Sequence, residues 1–140
     1  PNMICSILLL DESKQKLLKG AAPSLPDYYN NAIHGMKIGE HVGSCGAAAF
    51  LKKRIVVEDI STHKNWKFSK DLAISANLHA CWSQPLFSSN NEILGTFAIY
   101  YNKPKKPNEF DIFLIEDIAS ITAIAVEKFN YQTSLNKVES

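Results

Sequence analysis

Two apolar runs, residues 80–87 (Ala-Cys-Trp-Ser-Gln-Pro-Leu-Phe) and 93–101 (Ile-Leu-Gly-Thr-Phe-Ala-Ile-Tyr-Tyr), stand on either side of the polar stretch Ser88-Ser89-Asn90-Asn91-Glu92. A connection this short joins neighbouring antiparallel strands, because a parallel pair needs a long crossover. The beginning of the chain repeats the arrangement. An apolar run over residues 3–10 is followed by Asp11-Glu12-Ser13-Lys14 and then by Lys16-Leu17-Leu18-Lys19-Gly20-Ala21-Ala22, a second hairpin. Ile55-Val56-Val57 is β-branched throughout and reads as a further strand. Pro85 has no N–H to give a ladder, so it needs an open edge or a bulge.

Helical signals lie between and after the hairpins. Pro26 suits the first turn of a short helix over about 26–34 and Gly35 its end. Ser44 is a candidate N-cap for a helix over 44–52, which Ala47-Ala48-Ala49 favour and whose C-terminal dipole Lys52-Lys53-Arg54 complement. Ser69-Lys70-Asp71 opens another over 69–77, which Asn77 can close. From Asn108, a candidate cap with Glu109 and Asp111 in the first turn, the pattern becomes one long helix. Leu114, Ile118, Ile121 and Ala125 form an apolar seam along it, for a sheet or for a partner helix. Strands paired as hairpins at both ends, with helices between, make an α+β fold on an antiparallel sheet.

The 140 residues, 46% hydrophobic and 21% charged, amount to one ordinary domain able to bury a core without disulfides or metal. A net charge of +1, from 15 basic and 14 acidic side chains, argues against a nucleic-acid-binding face. Cys5, Cys45 and Cys81 follow no zinc pattern, and an odd count at wide spacing reads as reduced thiols in a cytoplasmic protein. No stretch reads as a signal peptide or a membrane span. The chain opens without Met and enters the apolar run Ile4-Cys5-Ser6-Ile7-Leu8-Leu9-Leu10 almost at once, so it reads as a piece of a longer protein.

Several stretches in this order resemble the GAF domains that accompany PAS, diguanylate-cyclase, phosphodiesterase and histidine-kinase modules in bacteria. They are Cys5-Ser6-Ile7-Leu8-Leu9-Leu10-Asp11, Gly20-Ala21-Ala22-Pro23-Ser24-Leu25-Pro26, Gly43-Ser44-Cys45-Gly46-Ala47-Ala48-Ala49 and Val57-Glu58-Asp59-Ile60. Ala80-Cys81-Trp82-Ser83-Gln84-Pro85-Leu86 and Leu94-Gly95-Thr96-Phe97-Ala98-Ile99-Tyr100-Tyr101 complete the set. The resemblance implies a central antiparallel sheet of five to six strands with helices on both faces. The short helices would roof a ligand pocket on one of them. It also implies a sensory role over residues 1–130, with 131–140 beginning a helical linker to an output domain such as a cyclase, phosphodiesterase or kinase.

Strict alternation along 93–101 puts Leu94, Thr96, Ala98 and Tyr100 on one face and Ile93, Gly95, Phe97, Ile99 and Tyr101 on the other. The small residues Thr96 and Ala98 make the first face the better pocket floor. Cys45 and Phe50 would wall it from one helix, and Trp66, Phe68, Asp71 and Leu72 from the neighbourhood of another. Rings with one acid and one hydroxyl suit a flat heteroaromatic ligand. Cyclic AMP and cyclic GMP are known ligands of the family, although the Asn-Lys-x-Phe-type signature of animal phosphodiesterase members is absent. The blander reading of these residues is packed core.

Cys45, between glycines at a helix start, is a candidate reactive thiol or simply a small residue that permits close packing. Free methionine-(R)-sulfoxide reductases share the Gly-x-Cys-Gly segment. Their nucleophilic cysteine lies in a loop that here reads Ser69 to Asn77 and holds no thiol, which argues against an enzyme. His34, His41, His63 and His79 show no metal-ligand spacing, and the Cys-His dipeptide of bilin-binding members is missing. The expectation is therefore a ligand-binding regulatory domain that signals through its last helix and forms a homodimer through Leu114, Ile118, Ile121 and Ala125, with no metal. The alternative is a dimerisation module whose pocket is vestigial.

Overall fold

The computed structural model describes residues 3–139, with side chains through residue 136. Six strands, β1 (Met3–Leu10), β2 (Lys16–Ala21), β3 (Met36–Lys37), β4 (Ile55–Val57), β5 (Ala80–Phe87) and β6 (Ile93–Tyr101), form one sheet in the order β3-β2-β1-β6-β5-β4. Every pairing is antiparallel. The two terminal hairpins meet at β1 and β6, with Ser6 opposite Ala98 and Leu8 opposite Thr96. β3 escapes a sequence reading because two residues show no period.

Four helices flank the sheet: α1 (Asp27–Ile33), α2 (Cys45–Leu51), α3 (Lys70–Ser75) and α4 (Glu109–Glu139), with a 3-10 turn at Lys64–Trp66. The expected signals mostly act as read. Pro26 accepts the N–H of Tyr29 and Asn30, and Gly35 and Asn77 take left-handed backbone just past α1 and α3. Asn108 and Asp111 bond each other's backbone N–H at 2.8 and 3.0 Å, a reciprocal cap that fixes where α4 begins. Ser44 differs from expectation. Its hydroxyl caps nothing; it donates to the Cys81 carbonyl at 3.0 Å and accepts from Trp66 Nε1 at 3.2 Å. A tertiary contact has outcompeted the local cap.

Two apolar cores lie on opposite faces of the sheet. Leu8, Leu17, Tyr29, Cys45, Trp66, Cys81, Ala98 and Tyr100 pack beneath α1, α2 and the 3-10 turn. Trp82, Leu86, Phe97, Ile99 and Tyr101 pack against Ile115, Ala119 and Ala123 of α4. Burial on both faces is why β5 and β6 read as near-continuous apolar runs. Pro85 is tolerated because β4 ends opposite Ser83, leaving the next stretch of β5 with an open edge.

Two expectations need correcting. The β5–β6 register passes from Leu86↔Gly95 to Phe87↔Ile93, so Leu94 is a bulge residue. The bulge turns Ile93 to the Ala98 side and Leu94 to the α4 side, opposite to strict alternation. Only glycine fits at 95, since a Cβ there would run into the Leu8 carbonyl. The second correction concerns α4. Of Leu114, Ile118, Ile121 and Ala125, only Ile118 packs against the sheet-side core, whereas Ile121 is 64% exposed and Ala125 is exposed as well. The residues that meet the sheet are Ile115, Ala119 and Ala123. The seam is thus divided between two faces of the helix.

Candidate functional site

Beneath α1 and the 3-10 turn lies a small, partly enclosed cavity of about 20 Å³, room for about one water molecule. Leu8 and Tyr100 form its floor, Tyr29 and Trp66 its roof, and Ser44 and Cys45 its wall. Each is placed by its element. Tyr29 faces inward from α1, and its ring meets Tyr100 edge-on at 6.0 Å and 87°, with Tyr29 Oη donating to Tyr100 Oη at 3.2 Å. Burial pushes both phenols far above their ordinary range, so both stay protonated. Trp66 is held by its bond to Ser44. The turn carrying it is tied down by Asn65, which donates to the Gly43 carbonyl at 3.1 Å and accepts the Gly43 N–H through its own carbonyl.

Below the wall is a cluster of small polar groups. Ser83 Oγ donates to Cys45 Sγ at 3.3 Å. The neighbouring Cys81 thiol most of all, then Ser83, holds Cys45 below the ordinary thiol range, against the opposing effect of burial. Burial is what pushes Cys81 well up. Thr96 is fully buried on the same face, and its Oγ1 lacks a hydrogen-bond partner.

The residues nominated from sequence separate into two sets. Cys45 and Trp66 line the cavity. Thr96 and Ala98 are fully buried on the same face of the sheet, and Leu72 packs against that core from α3. Phe68 is 96% exposed and Asp71 is exposed on the outside of α3. Phe50, 52% exposed, edges a separate open groove of about 340 Å³ with Leu10, Ile38 and Ile93. That groove and a neighbouring one share the exposed Lys14–Glu92 ion pair; both are shallow and solvent-facing, so the cavity is the better candidate site. Sequence reasoning did not assign Tyr29, Ser44 or Ser83 to the site. Tyr29 sits in a short helix with little periodicity, and the two serines resemble ordinary cap and strand residues. Tyr100 stood on the correct face and was passed over for its size.

The side chains of three of the four histidines, His34, His41 and His63, make structural hydrogen bonds. His63 Nδ1 accepts the Asn65 N–H at 3.1 Å and caps the 3-10 turn, and burial followed by Lys64 and His41 lowers its pKa. His34 Nδ1 accepts the Lys19 N–H, and His41 bonds Asn65. Among the described residues no three His, Cys, Asp or Glu side chains are grouped to hold a metal, and no helix is long and apolar enough to cross a membrane.

Comparison with known proteins agrees with this architecture. The methyl sulfide methyltransferase-associated sensor of Methanosarcina acetivorans is 34% identical over all 140 residues, which span 14% of that protein's length. The domain of a two-component sensor histidine kinase protein from Sinorhizobium meliloti 1021 superposes with a TM-score of 0.72 at 21% identity, over 95% of this chain and 84% of that one. Free methionine-R-sulfoxide reductase from Neisseria meningitidis, in complex with its substrate, gives 0.65 at 20% identity, over 89% and 66%. A family model described as GAF domain matches residues 2–127. With the sheet order, the two-faced core and this match in agreement, the chain belongs to the GAF domain family.

Proposed function

We propose that this domain senses a small molecule on behalf of a longer signalling protein, taking the ligand between the sheet and its roof of α1 and the 3-10 turn. The observation that carries the reading is the cavity, a small, partly enclosed space under two short elements, walled by rings and hydroxyls. A relative named as a sensor supports it. Space for one water cannot accept a nucleotide, so binding is coupled to outward movement of the roof. Cys45 and Trp66 then contact the ligand, with Thr96 and Ala98 beneath it and Leu72 behind. Phe68 and Asp71 reach the rim only through that movement, and Phe50 stays in its separate groove. The continuous α4 passes the change to an output domain. Reduced thiols fit a cytoplasmic setting.

Cyclic AMP and cyclic GMP are the flat heteroaromatic ligands to try first. The name of the Methanosarcina acetivorans relative, which associates it with a methyl sulfide methyltransferase, makes dimethyl sulfide the second. Calorimetry with each compound, alongside tryptophan emission, tests the proposal. Binding is expected to shift emission, and Trp66→Phe to remove the shift. Absence of heat and emission change with all three would favour a second reading, in which the domain is a dimerisation module. The exposed side of α4, with Phe110 69%, Ile121 64% and Ile124 70% exposed, supports that reading. Reductase activity is not expected, since residues 69–77 hold no thiol and Cys81 is fully buried. Turnover of free methionine sulfoxide with a thioredoxin-type donor would overturn this.

A further inference from the structure

The two buried cysteines have no part in the ligand reading beyond Cys45's place in the cavity wall, yet they are built into one polar cluster. Cys45 begins α2 and Cys81 lies in β5, and their side chains belong to the same core on the same face of the sheet. The Ser44 hydroxyl bonds the Cys81 carbonyl at 3.0 Å and seats the start of α2 directly over that strand. Cys45 Sγ receives the Ser83 hydroxyl and lines the cavity at 4% exposure, while Cys81 lies beneath at 0%. Beside them, Thr96 Oγ1 is buried with no hydrogen-bond partner, a costly state for a hydroxyl if the cluster served packing alone. The third thiol, Cys5, is exposed and pairs with Ile99 of the α4-side core, so it belongs to the other face.

We propose that Cys45 and Cys81 form a peroxide-responsive dithiol, closing to a disulfide that ties α2 to β5. Cys45 is the attacking sulfur. It borders the space that a peroxide of nearly water size can enter, and the Ser83 hydroxyl that it receives favours the thiolate. The thiolate attacks one peroxide oxygen and the O–O bond breaks. Cys45 becomes a sulfenic acid, and the departing hydroxide takes up the proton that Cys45 released, leaving as water. Thr96 is placed to donate its idle hydroxyl to the new sulfenic oxygen. Cys81 then attacks the Cys45 sulfur; the S–S bond forms, the S–O bond breaks, and hydroxide leaves as water with the Cys81 proton. Two thiols and one peroxide thus give one disulfide and two waters, and an external dithiol reverses the change. Because Ser44 and Cys45 also wall the cavity, the disulfide would constrain the site of ligand entry, giving the domain a redox input separate from ligand occupancy.

The test is brief treatment of the whole chain with hydrogen peroxide, alkylation of remaining thiols after unfolding, and peptide mass spectrometry. The expected product has Cys45 linked to Cys81, two hydrogen atoms lost, Cys5 alkylated, and full reversal by dithiothreitol. In Cys81→Ser, dimedone should label Cys45 as the trapped sulfenic acid. In Cys45→Ser, Cys81 should resist both peroxide and dimedone. Alkylation of both Cys45 and Cys81 under conditions that fully oxidise Cys5 would overturn the proposal, and this wild-type measurement decides it even if a variant fails to fold. Labelling of Cys81 rather than Cys45 by dimedone would overturn the assignment of the attacking sulfur.

Discussion

The β5–β6 hairpin presents two faces of opposite character. Toward α4 it offers Trp82, Leu86, Phe97, Ile99 and Tyr101, closely packed. The Trp82 and Tyr101 rings stand 4.8 Å apart, Trp82 Nε1 donates to the Lys105 carbonyl at 3.1 Å, and the Lys105 ammonium lies over Tyr101 at 4.3 Å. Toward the cavity the same strands, with β1 beside them, set the small Cys81, Ser83, Thr96, Ala98 and Ser6 among the larger Leu8, Ile93 and Tyr100. The Ser6 and Thr96 hydroxyls are left without partners. Both faces bury apolar side chains, but only the cavity face also retains small polar groups that a wholly apolar core would lack.

That contrast is open to attack by mutation, beginning where the effect should be largest. Trp82→Ala should destabilise the domain by about 3–5 kcal/mol in urea titration, through lost burial and the void left against α4. A loss below about 1 kcal/mol would mean that the α4 face is not the stabilising one. On the other face the sign should reverse. Thr96→Val keeps the shape, removes the unpartnered hydroxyl, and should stabilise by about 1 kcal/mol; a clear destabilisation would reveal that the hydroxyl is satisfied in solution.

A pH series sharpens the comparison. Cys45 titrates below and Cys81 above the ordinary thiol range. Between the depressed Cys45 pKa and that range, the unfolded chain binds the additional proton, so stability should rise with pH. Beyond it, the folded state alone keeps the Cys81 proton and stability should fall. Thermal melts compared with Cys45→Ser, which keeps Cys5, a thiol that partial burial also pushes up, should show the rising limb vanish; an unchanged limb would place its origin elsewhere. The smallest stability effect belongs to the outer surface of α4. Ile121→Glu should alter stability by no more than about 0.5 kcal/mol while shifting sedimentation toward monomer if α4 mediates a dimer. An unchanged profile would remove α4 from that role.

The sequence by itself determined the two hairpins, the antiparallel α+β sheet, the caps at Pro26 and Asn108, and the family. The hairpins, sheet and caps follow from local signals, namely short polar connections, apolar and β-branched runs and residues with restricted backbone, and the family follows from a resemblance of whole stretches. It also marked Thr96 and Ala98, because small residues stand out on a strand that is otherwise large and apolar, and the structure buries both on the face that carries Cys45 and Trp66. What it left to tertiary structure depends on approach between distant segments. Strict alternation could not foresee the Leu94 bulge, which arises where Gly95 meets the Leu8 carbonyl. Nor could helical spacing decide which residues of α4 meet the sheet, since the helix is apolar on more than one side. Ser44 shows the reason most simply. Locally it is a cap, but the arrival of Cys81 and Trp66 offers it two better-placed partners, and the hydrogen bonds of the assembled site outweigh the preference of the isolated helix.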